Sequence, residues 1–311
     1  MPLVPVNLVY FLEVARAGSV SEAAHILNVA PSAISRQIAK LEAEIGVPLF
    51  IRHPRGMTVT DAGSRLLAHA RRSEIESAAL VEELRTGQGA DVRCVAVACS
   101  QGFARRVVPG AMAAFRRRHP DVTFRLDIVS RQEATRRVAD GIVDVAATYA
   151  MGPQHDVRVE CAVVIPVAAI VPLGHELAGR ERITLPELCA YPLTLSPTGS
   201  SQRELFDIGV RLEGLSVRPA LVCDGLAPQY EFVRSGGGLA LVGDLGDLGD
   251  LGECASAEGV AYVPIDHPVF RQREAQVQTM LGRRLPWVTS QFTELLASLL
   301  PGHSGARPPS Q

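Results

Sequence analysis

The residues of this chain that are best suited to chemistry lie in a short segment near its amino terminus. Within residues 31–40, small and polar residues alternate with Ile34 and Ile38, which recur at helical spacing. The polar face carries Arg36 and Gln37, whose side chains can form bidentate hydrogen bonds to guanine and adenine in the major groove of DNA. Small neighbouring residues allow the helix backbone to approach the base edges. The pattern therefore predicts a DNA recognition helix.

A helix-turn-helix is needed to position this segment. The preceding helix is predicted to begin at Ser21, whose hydroxyl could accept a backbone N–H and cap it. The turn would begin at Asn28, and Pro31 suits the first position of the second helix because its missing N–H costs nothing there. A further helix over about residues 5–17, ended by Gly18, would complete the apolar core.

A basic hairpin is predicted to follow. Two β-prone pieces within residues 46–63 flank a turn rich in Pro and Gly, which is typical of a wing whose arginines meet phosphates or enter a minor groove. A three-helix bundle with a polar outer face would explain the helices alone, but not this hairpin. The residues expected to contact DNA are Ser21, Pro31, Ser32, Ala33, Ser35, Arg36, Gln37, Lys40, Arg52 and Arg55.

Taken together, these segments resemble the LysR-type transcriptional regulators. The resemblance rests on an ordered set of elements, namely Phe11, Gly18-Ser19, Ala23-Ala24, Leu27, Ser35-Arg36-Gln37-Ile38, Leu41-Glu42, Gly46-Val47-Pro48-Leu49-Phe50-Ile51-Arg52 and Thr58-Val59-Thr60-Asp61-Ala62-Gly63. It implies an all-α winged helix-turn-helix domain that binds double-stranded operator DNA. Ala30 and Ser32 depart from the family pattern, and Ala30 has no side chain that could cap the recognition helix.

Composition limits the ways in which this chain could bind DNA. Its 311 residues are enough for two to three domains, and its net charge of −2 gives no overall basic surface. Binding must therefore depend on a few placed cations and on two copies per site. Residues 1–30 lack the basic segment followed by an apolar run that is typical of a signal peptide. The apolar stretch 162–173 is too short to span a bilayer. We expect a cytoplasmic protein without a membrane partner, with six reduced cysteines.

A long helix is predicted over residues 60–84. Apolar and small residues alternate steps of four and three along it, which is typical of a coiled-coil seam: Leu66, Ala70, Ser73, Ser77, Leu80 and Leu84. A helix between two domains has little of its own chain to pack against, so we expect homodimerisation here, as the resemblance also implies. The segment 86–90 would end this helix and supply a hinge.

Beyond the hinge, strands alternate with helices. This βαβ pattern predicts a parallel sheet covered by helices. The expected strands are 92–99, 122–129, 143–148, 163–171, 191–195, 220–222, 239–242, 260–264 and 274–282, and the expected helices are 103–118, 131–140, 185–188, 200–212, 227–235 and 287–300.

This region resembles the α/β effector domain of the same family, a two-lobed fold similar to type 2 periplasmic binding proteins. The carriers are Val108-Pro109, Phe115-Arg116-Arg117-Arg118-His119-Pro120, Asp140-Gly141-Ile142-Val143-Asp144-Val145-Ala146, Val171-Pro172-Leu173-Gly174-His175-Glu176-Leu177-Ala178, Gly199-Ser200-Ser201 and 233–241. The implied domains are a DNA-binding domain (5–63), a linker helix (60–86), an effector domain (91–300) and a disordered tail (301–311). The effector domain would comprise lobe I (91–161 with 268–300) and lobe II (162–267), joined by two crossover strands.

Polar residues follow several of the predicted strands. Ligands of parallel sheets bind beyond the carboxyl ends of the strands, near helix N-termini. The expected effector-binding residues are Ser100, Gln101, Ser130, Thr148, Ser196, Thr198, Gly199 and Asp224. Each hydroxyl taken alone could simply be a helix cap, so only their convergence would define a site. Hydroxyl and free N–H groups suit a polar or anionic small molecule.

The sequence offers no nucleophile–base pair and no metal-ligand spacing, so we expect neither an enzyme nor a cofactor. His175 has no second ligand at suitable spacing and is predicted to be structural. The Gly-Asp-Leu triplets of 243–252 lack a calcium-loop pattern and predict a surface loop. Two alternatives stay open, namely a redox sensor that uses a cysteine of this scaffold and a solute-binding protein. The resemblance further implies a homotetramer and contact with RNA polymerase.

Overall fold

The structure, a computed structural model, describes residues 3–54, 56–86, 94–243 and 259–301, apart from the side chains at 79, 82, 83, 85 and 86. The chain divides into two compact units, Met1–Asp91 and Val92–Gln311. Four expectations fall on residues outside the described ranges: the hinge from 87 onward, the DNA contact of Arg55, the triplet loop beyond Gly243 and the tail from 302.

The first unit contains a three-helix core, a hairpin and a long helix. Its elements are α1 (Val6–Ala17), α2 (Val20–Leu27), α3 (Pro31–Ile45), β1 (Phe50–His53), β2 (Gly56–Val59) and α4 (Asp61–Thr86). The apolar faces of the three short helices meet in one core around Phe11, Ile34 and Ile38, which are almost fully buried. The rings of Phe11 and Phe50 lie 5.1 Å apart, so the hairpin packs on the same core.

The cap of α2 is Ser19, so the prediction of a helix beginning at Ser21 was wrong. Ser19 is extended (φ −154°, ψ 135°), and its side chain accepts a hydrogen bond from the backbone N–H of Glu22 at 3.5 Å. Gly18 has a φ of 68°, a left-handed conformation that lets the chain turn directly from α1 into this cap. Ser21 therefore lies exposed within the first turn of α2.

The long helix α4 has two contrasting halves. Ala70 is buried and Leu66 partly buried in the core of the first unit. Further along the predicted seam, the side chains of Leu80 and Leu84 are 45% and 73% exposed. The helix thus extends an apolar edge that its own unit does not cover.

The described part of the second unit contains two five-stranded sheets. The first sheet has the order β4-β3-β5-β12-β6 and the second the order β11-β7-β10-β8-β9. The strands are β3 (Cys94–Cys99), β4 (Thr123–Ile128), β5 (Val145–Ala150), β6 (Val157–Val164), β7 (Val167–Pro172), β8 (Leu193–Leu195), β9 (Leu221–Val222), β10 (Leu239–Gly243), β11 (Val260–Pro264) and β12 (Glu274–Met280). The helices are α5 (Gln101–Ala104), α6 (Val107–Arg118), α7 (Arg131–Ala139), α8 (Leu185–Cys189), α9 (Ser201–Leu212), α10 (Leu226–Arg234) and α11 (Trp287–Ser298), with a 3-10 turn at Pro268–Arg271.

Both sheets are mixed, whereas a parallel sheet was predicted. Parallel pairing joins β3 to β4 and β5, and β8 to β9 and β10. The strands β12 and β7 pair antiparallel to all their neighbours. Helical crossovers fix a parallel direction between successive strands, but β12 returns to the first sheet only after the whole second sheet has been built. Its direction is therefore not set by a βαβ unit.

Prolines explain two further differences from the expected elements. The predicted helix 103–118 is two helices, because Pro109 would break a continuous helix but is tolerated in the first turn of one that begins at Val107. The predicted strand 163–171 covers most of β7 but only the last two residues of β6, whose part 157–162 was not predicted, and the chain leaves the sheet between them at Ile165 and Pro166. There the N–H of Ile165 donates to the carbonyl of Arg273 at 2.8 Å, which places the two connections between the sheets side by side. The expected lobe boundary after 161 falls inside β6.

Each sheet carries its own apolar core. Val97, Phe103 and Phe292 are fully buried in the core of the first sheet. The core of the second sheet combines aliphatic residues such as Ala169 and Leu193, which are fully buried, with Phe206 and Phe270. Among the described residues, no helix is both long and apolar enough to cross a bilayer. The two cores leave the ends of the strands free to form a cleft between the lobes of this unit.

Candidate functional site

The recognition segment forms α3 with one buried and one open face. Ile34, Ile38 and Leu41 are buried on the inner face. Of the residues predicted to contact DNA on this helix, four are exposed (Pro31, Ser32, Arg36 and Lys40) and three are half-buried (Ala33, Ser35 and Gln37). Ala30 precedes the helix without a side-chain cap, as the sequence indicates.

The hairpin is held against the helices by backbone-directed hydrogen bonds. One carboxylate oxygen of Glu42, on α3, accepts from the backbone N–H of Leu49 at 2.7 Å and of Phe50 at 3.3 Å. At the other end, the N–H of Met57 donates to the carbonyl of Gly18 at 2.7 Å. Arg52 is exposed on β1, so its side chain can reach a partner beyond the unit. Sequence reasoning did not assign Glu42 this positioning role.

The second candidate site is a cleft between the two sheets. One cavity of about 470 Å³ is lined by residues that follow strands of both sheets. Seven of the eight predicted effector-binding residues line it: Ser100, Gln101, Ser130, Ser196, Thr198, Gly199 and Asp224. Thr148 does not line it; this residue is fully buried, and its hydroxyl oxygen lies 2.8 Å from that of Ser100. It therefore supports the cavity wall from behind.

Some of these hydroxyls also cap helices. The side chain of Ser130 accepts from the N–H of Glu133 at 3.3 Å, and that of Ser200 accepts from Arg203 at 3.2 Å. Ser100 makes no such cap bond to α5 and has its hydroxyl beside Thr148 instead. Ser130 thus both caps α7 and lines the cavity. The hydroxyl of Ser100 is instead positioned by Thr148 on the neighbouring strand β5.

An ion pair and hydrogen bonds cross the cleft between the lobes. Arg131, which follows Ser130, forms an ion pair with Glu204 on α9 at 2.8 Å. The side-chain oxygen of Gln101 accepts from the N–H of Leu226 at 3.1 Å, and its amide nitrogen lies 3.5 Å from the carbonyl of Asp224. These contacts connect the first sheet to helices and loops of the second, so they favour a closed arrangement of the lobes.

Arg273 is a cavity residue that sequence reasoning missed. It lies just before β12 and is 2% exposed, and its Nε and Nη2 atoms are buried without a hydrogen-bond partner among the described residues. Its guanidinium carbon lies 4.1 Å from the centre of the Tyr149 ring. Burial lowers the pKa of Arg273 below its ordinary value. No local sequence pattern marks this position, because the burial arises from two connections that are distant in the chain.

Among the described residues, neither a thiol nor a metal cluster forms part of this cavity. Within the described ranges, no disulfide joins Cys94, Cys99, Cys161, Cys189 or Cys223, and none of them lines the cavity. Within the same ranges, no group of three His, Cys, Asp or Glu side chains could hold a metal ion.

His175 has the structural role that the sequence predicts. Its ring nitrogen accepts from the N–H of Leu177 at 3.2 Å. The ring also packs 4.8 Å from that of Tyr191, centre to centre. Both contacts stabilise the loop in which this histidine lies.

A winged helix-turn-helix joined to a two-lobed ligand-binding unit defines a class of DNA-binding regulators. Comparison with protein families gives two matches, the "Bacterial regulatory helix-turn-helix protein, lysR family" over residues 6–64 and the "LysR substrate binding domain" over residues 89–301. The chain belongs to the LysR family of transcriptional regulators. The resemblance found in the sequence is thereby confirmed, as is the fold class.

Individual relatives agree with this assignment. The RuBisCO operon transcriptional regulator of Allochromatium vinosum is 30% identical over 238 residues, which cover 75% of this chain and 76% of that protein. The regulator CysB of Burkholderia cenocepacia is 27% identical over 292 residues, covering 91% and 89%. Among solved structures, full-length OxyR from Pseudomonas aeruginosa matches with a TM-score of 0.60 at 19% identity over 98% of this chain and 97% of that chain, a similarity of fold.

Proposed function

We propose that this LysR-family regulator changes the way in which it holds operator DNA when a small polar or anionic molecule binds in the cleft of its second unit. The observation that carries the proposal is the convergence of polar residues from both sheets on one cavity of about 470 Å³. A volume of this size suits a small organic ligand. The effector can shift the equilibrium only if it binds the two states with different affinity, and a cleft lined from two lobes provides that difference.

On the DNA side, α3 would enter the major groove and the hairpin would contact the backbone. The exposed side chains of Ser32, Arg36 and Lys40 lie on the face opposite the core, which supports this placement. Arg36 is the residue we expect to discriminate between bases, because guanidinium groups bind guanine in a bidentate manner. The proposed set is completed by Ser21, Pro31, Ala33, Ser35, Gln37, Arg52 and Arg55.

Two copies would pair through α4. The exposed Leu80 and Leu84 support this arrangement, because a single copy leaves their apolar side chains in water. Paired recognition helices would then read half-sites one or more helical turns apart, about 34 Å each. We further propose pairing of effector domains into a tetramer, contact with RNA polymerase, and the domain division 5–63, 60–86 and 91–300.

A redox function is less well supported than a ligand-gated one. Burial raises the pKa of Cys99 to about 12 and of Cys189 to about 11, which disfavours the reactive thiolate. Cys94 is exposed, but it lies at the start of β3 and does not line the cavity. The relation to known regulators argues against the solute-binding alternative and against enzymatic activity.

The DNA part of the proposal is tested by footprinting on the DNA upstream of the protein's own gene. We expect Arg36→Ala to weaken specific binding by about 1–3 kcal/mol. The matched control is Arg158→Ala, which removes the same charge from an exposed site in the second unit. Equal operator affinities of the two variants would overturn the placement of the recognition helix.

The effector part is tested by a thermal-shift screen of the full-length protein against small carboxylates, amino acids and aromatic acids. A molecule that raises the melting temperature is then tested for a changed footprint. We expect Thr198→Ala to remove that change while basal DNA binding persists. A footprint that never responds to any stabilising molecule would refute ligand gating and leave the DNA-binding role intact.

A further inference from the structure

We propose that Arg273 is the anion anchor of the cleft and that the effector carries a single carboxylate bound by this guanidinium. This inference rests on the proposed function of the same cavity and names the chemistry of its ligand. Its basis is a buried cation that lines the cavity and lacks a partner among the described residues for two of its nitrogen atoms.

The contrast with Arg283 shows how unusual this environment is. The side chain of Arg283 is 9% exposed, and its guanidinium is paired with the carboxylate of Asp144 at 2.9 Å. Arg273 is more deeply buried, yet no described carboxylate lies within ion-pair distance of it. A buried charge without a partner is strongly unfavourable. Stacking on Tyr149 offsets only part of that cost, since cation–π contacts are modest in strength.

The two unpartnered atoms share one edge of the guanidinium. The N–H groups of Nε and Nη2 point in nearly the same direction but are closed off from solvent, so they can donate to the two oxygens of one carboxylate once the cavity wall beside them opens. This geometry makes a planar carboxylate a better match than a group with one acceptor. Arg131 contributes a further buried Nε atom, also unpartnered within the described ranges, among the residues that line the cavity.

Gly243 leaves the room that the guanidinium occupies. A Cβ atom at this position would overlap Nη2 of Arg273 and would lie 2.9 Å from its Cζ. The absence of a side chain at residue 243 therefore leaves space at the end of β10 for the guanidinium in its observed position. The backbone of this strand and the Tyr149 ring together fix the position of the guanidinium at the cavity wall.

The rest of the cavity restricts the ligand to an organic monocarboxylate. Its volume of about 470 Å³ exceeds that of a bare oxyanion, and Ile128, Leu226 and Val242 supply apolar wall. Among the charged lining residues, Arg131 is already paired with Glu204, and Asp224 would repel a second negative charge. We therefore expect one carboxylate on a small, partly apolar body.

The first test needs no knowledge of the effector. In ligand-free protein, Arg273→Met should raise the midpoint of thermal unfolding, because it replaces an unpartnered buried cation by an apolar side chain of similar length. Arg283→Met, the control, should lower the midpoint because it leaves Asp144 without its partner. A midpoint that falls in both variants would show that Arg273 is structural and would overturn the proposal.

The second test uses formate, which is a carboxylate without a body. At about 100 mM and constant ionic strength, formate should raise the midpoint of the full-length protein by about 2–4 °C relative to chloride, and Arg273→Met should abolish the shift. No shift in the wild-type protein, or an equal shift in Arg273→Met, contradicts the anchor. An Arg273-dependent shift with sulfate but not with formate contradicts the choice of a carboxylate.

The experiments can refute the role of Arg273 as an anchor and the proposed ligand gating independently of each other. If a panel of larger monocarboxylates binds through Arg273 and none of them changes the operator footprint, the anchor stands and ligand gating is refuted. If Arg273→Met retains the footprint and still responds to a carboxylate identified in the thermal-shift screen, ligand gating stands and the anchor is refuted. Footprinting of Arg273→Met without ligand also controls for misfolding of the first unit.

Discussion

Replacing Glu42 should uncouple the hairpin from the recognition helix. One oxygen of this carboxylate accepts from the N–H groups of Leu49 and Phe50 at 2.7 Å and 3.3 Å, and both of those residues are buried. A hydrogen bond to a charged group contributes about 1.5–3 kcal/mol. Counting the short bond fully and the long one in part, we expect Glu42→Ala to lower the free energy of unfolding of the first unit by about 2–4 kcal/mol.

Glu44→Ala is a closely matched control. Glu44 lies on the same helix and carries the same charge, but it is exposed and contacts only Lys40 at 3.7 Å among the ion pairs of the described residues. Such an exposed pair contributes less than about 0.5 kcal/mol. Both variants remove one negative charge near the proposed DNA face, so any general gain in DNA attraction is common to them.

The assay combines amide hydrogen exchange with operator binding. Exchange at Leu49 and Phe50 should accelerate in Glu42→Ala and stay unchanged in Glu44→Ala. Specific operator affinity should fall in Glu42→Ala relative to the control, because the hairpin no longer keeps its position beside α3. Stabilities of the two variants that agree within about 0.5 kcal/mol would refute the reasoning from these hydrogen bonds.

Three further outcomes are expected. Ala30→Ser should stabilise the first unit by about 1 kcal/mol by capping α3, seen as slower amide exchange at Ala33, and unchanged exchange would argue against a cap. Iodoacetamide should label exposed Cys94 in the folded protein and Cys99 only after unfolding, since burial raises the pKa of Cys99 to about 12; early labelling of Cys99 by mass spectrometry would contradict this. Hydrogen bonds from Arg136 and Arg137 lower the pKa of Glu133 from 4.5 to about 2, so its contribution to stability is full above about pH 4.5 and is lost as the pH falls toward 2. Glu133→Gln should therefore flatten the acid side of the stability profile, and parallel profiles for variant and wild type in urea unfolding would count against the interaction.

Local patterns in the sequence predicted the individual helices and strands better than they predicted how segments distant in the chain pack together. Periodicity located the buried stripe of α3, and polar residues after strands converged on one cavity because the carboxyl ends of parallel strands share an edge. The direction of β12 and the burial of Arg273 depend on contacts between segments distant in the chain, which periodicity does not encode. The cap at Ser19 was missed because it depends on the left-handed turn at Gly18.

The position of Arg273 on a connection between the lobes has a consequence for pharmacology. Its carbonyl accepts from the N–H of Ile165 on the other connection, so this residue lies between the lobes, where we expect the smallest displacement as they open or close. An anchor at this position binds a carboxylate with similar affinity in the open and closed arrangements of the lobes. It therefore contributes to binding affinity without shifting the equilibrium between the two arrangements. Agonists and antagonists would then share the acid group and differ in the body that reaches Ser130 on one lobe and Thr198 on the other.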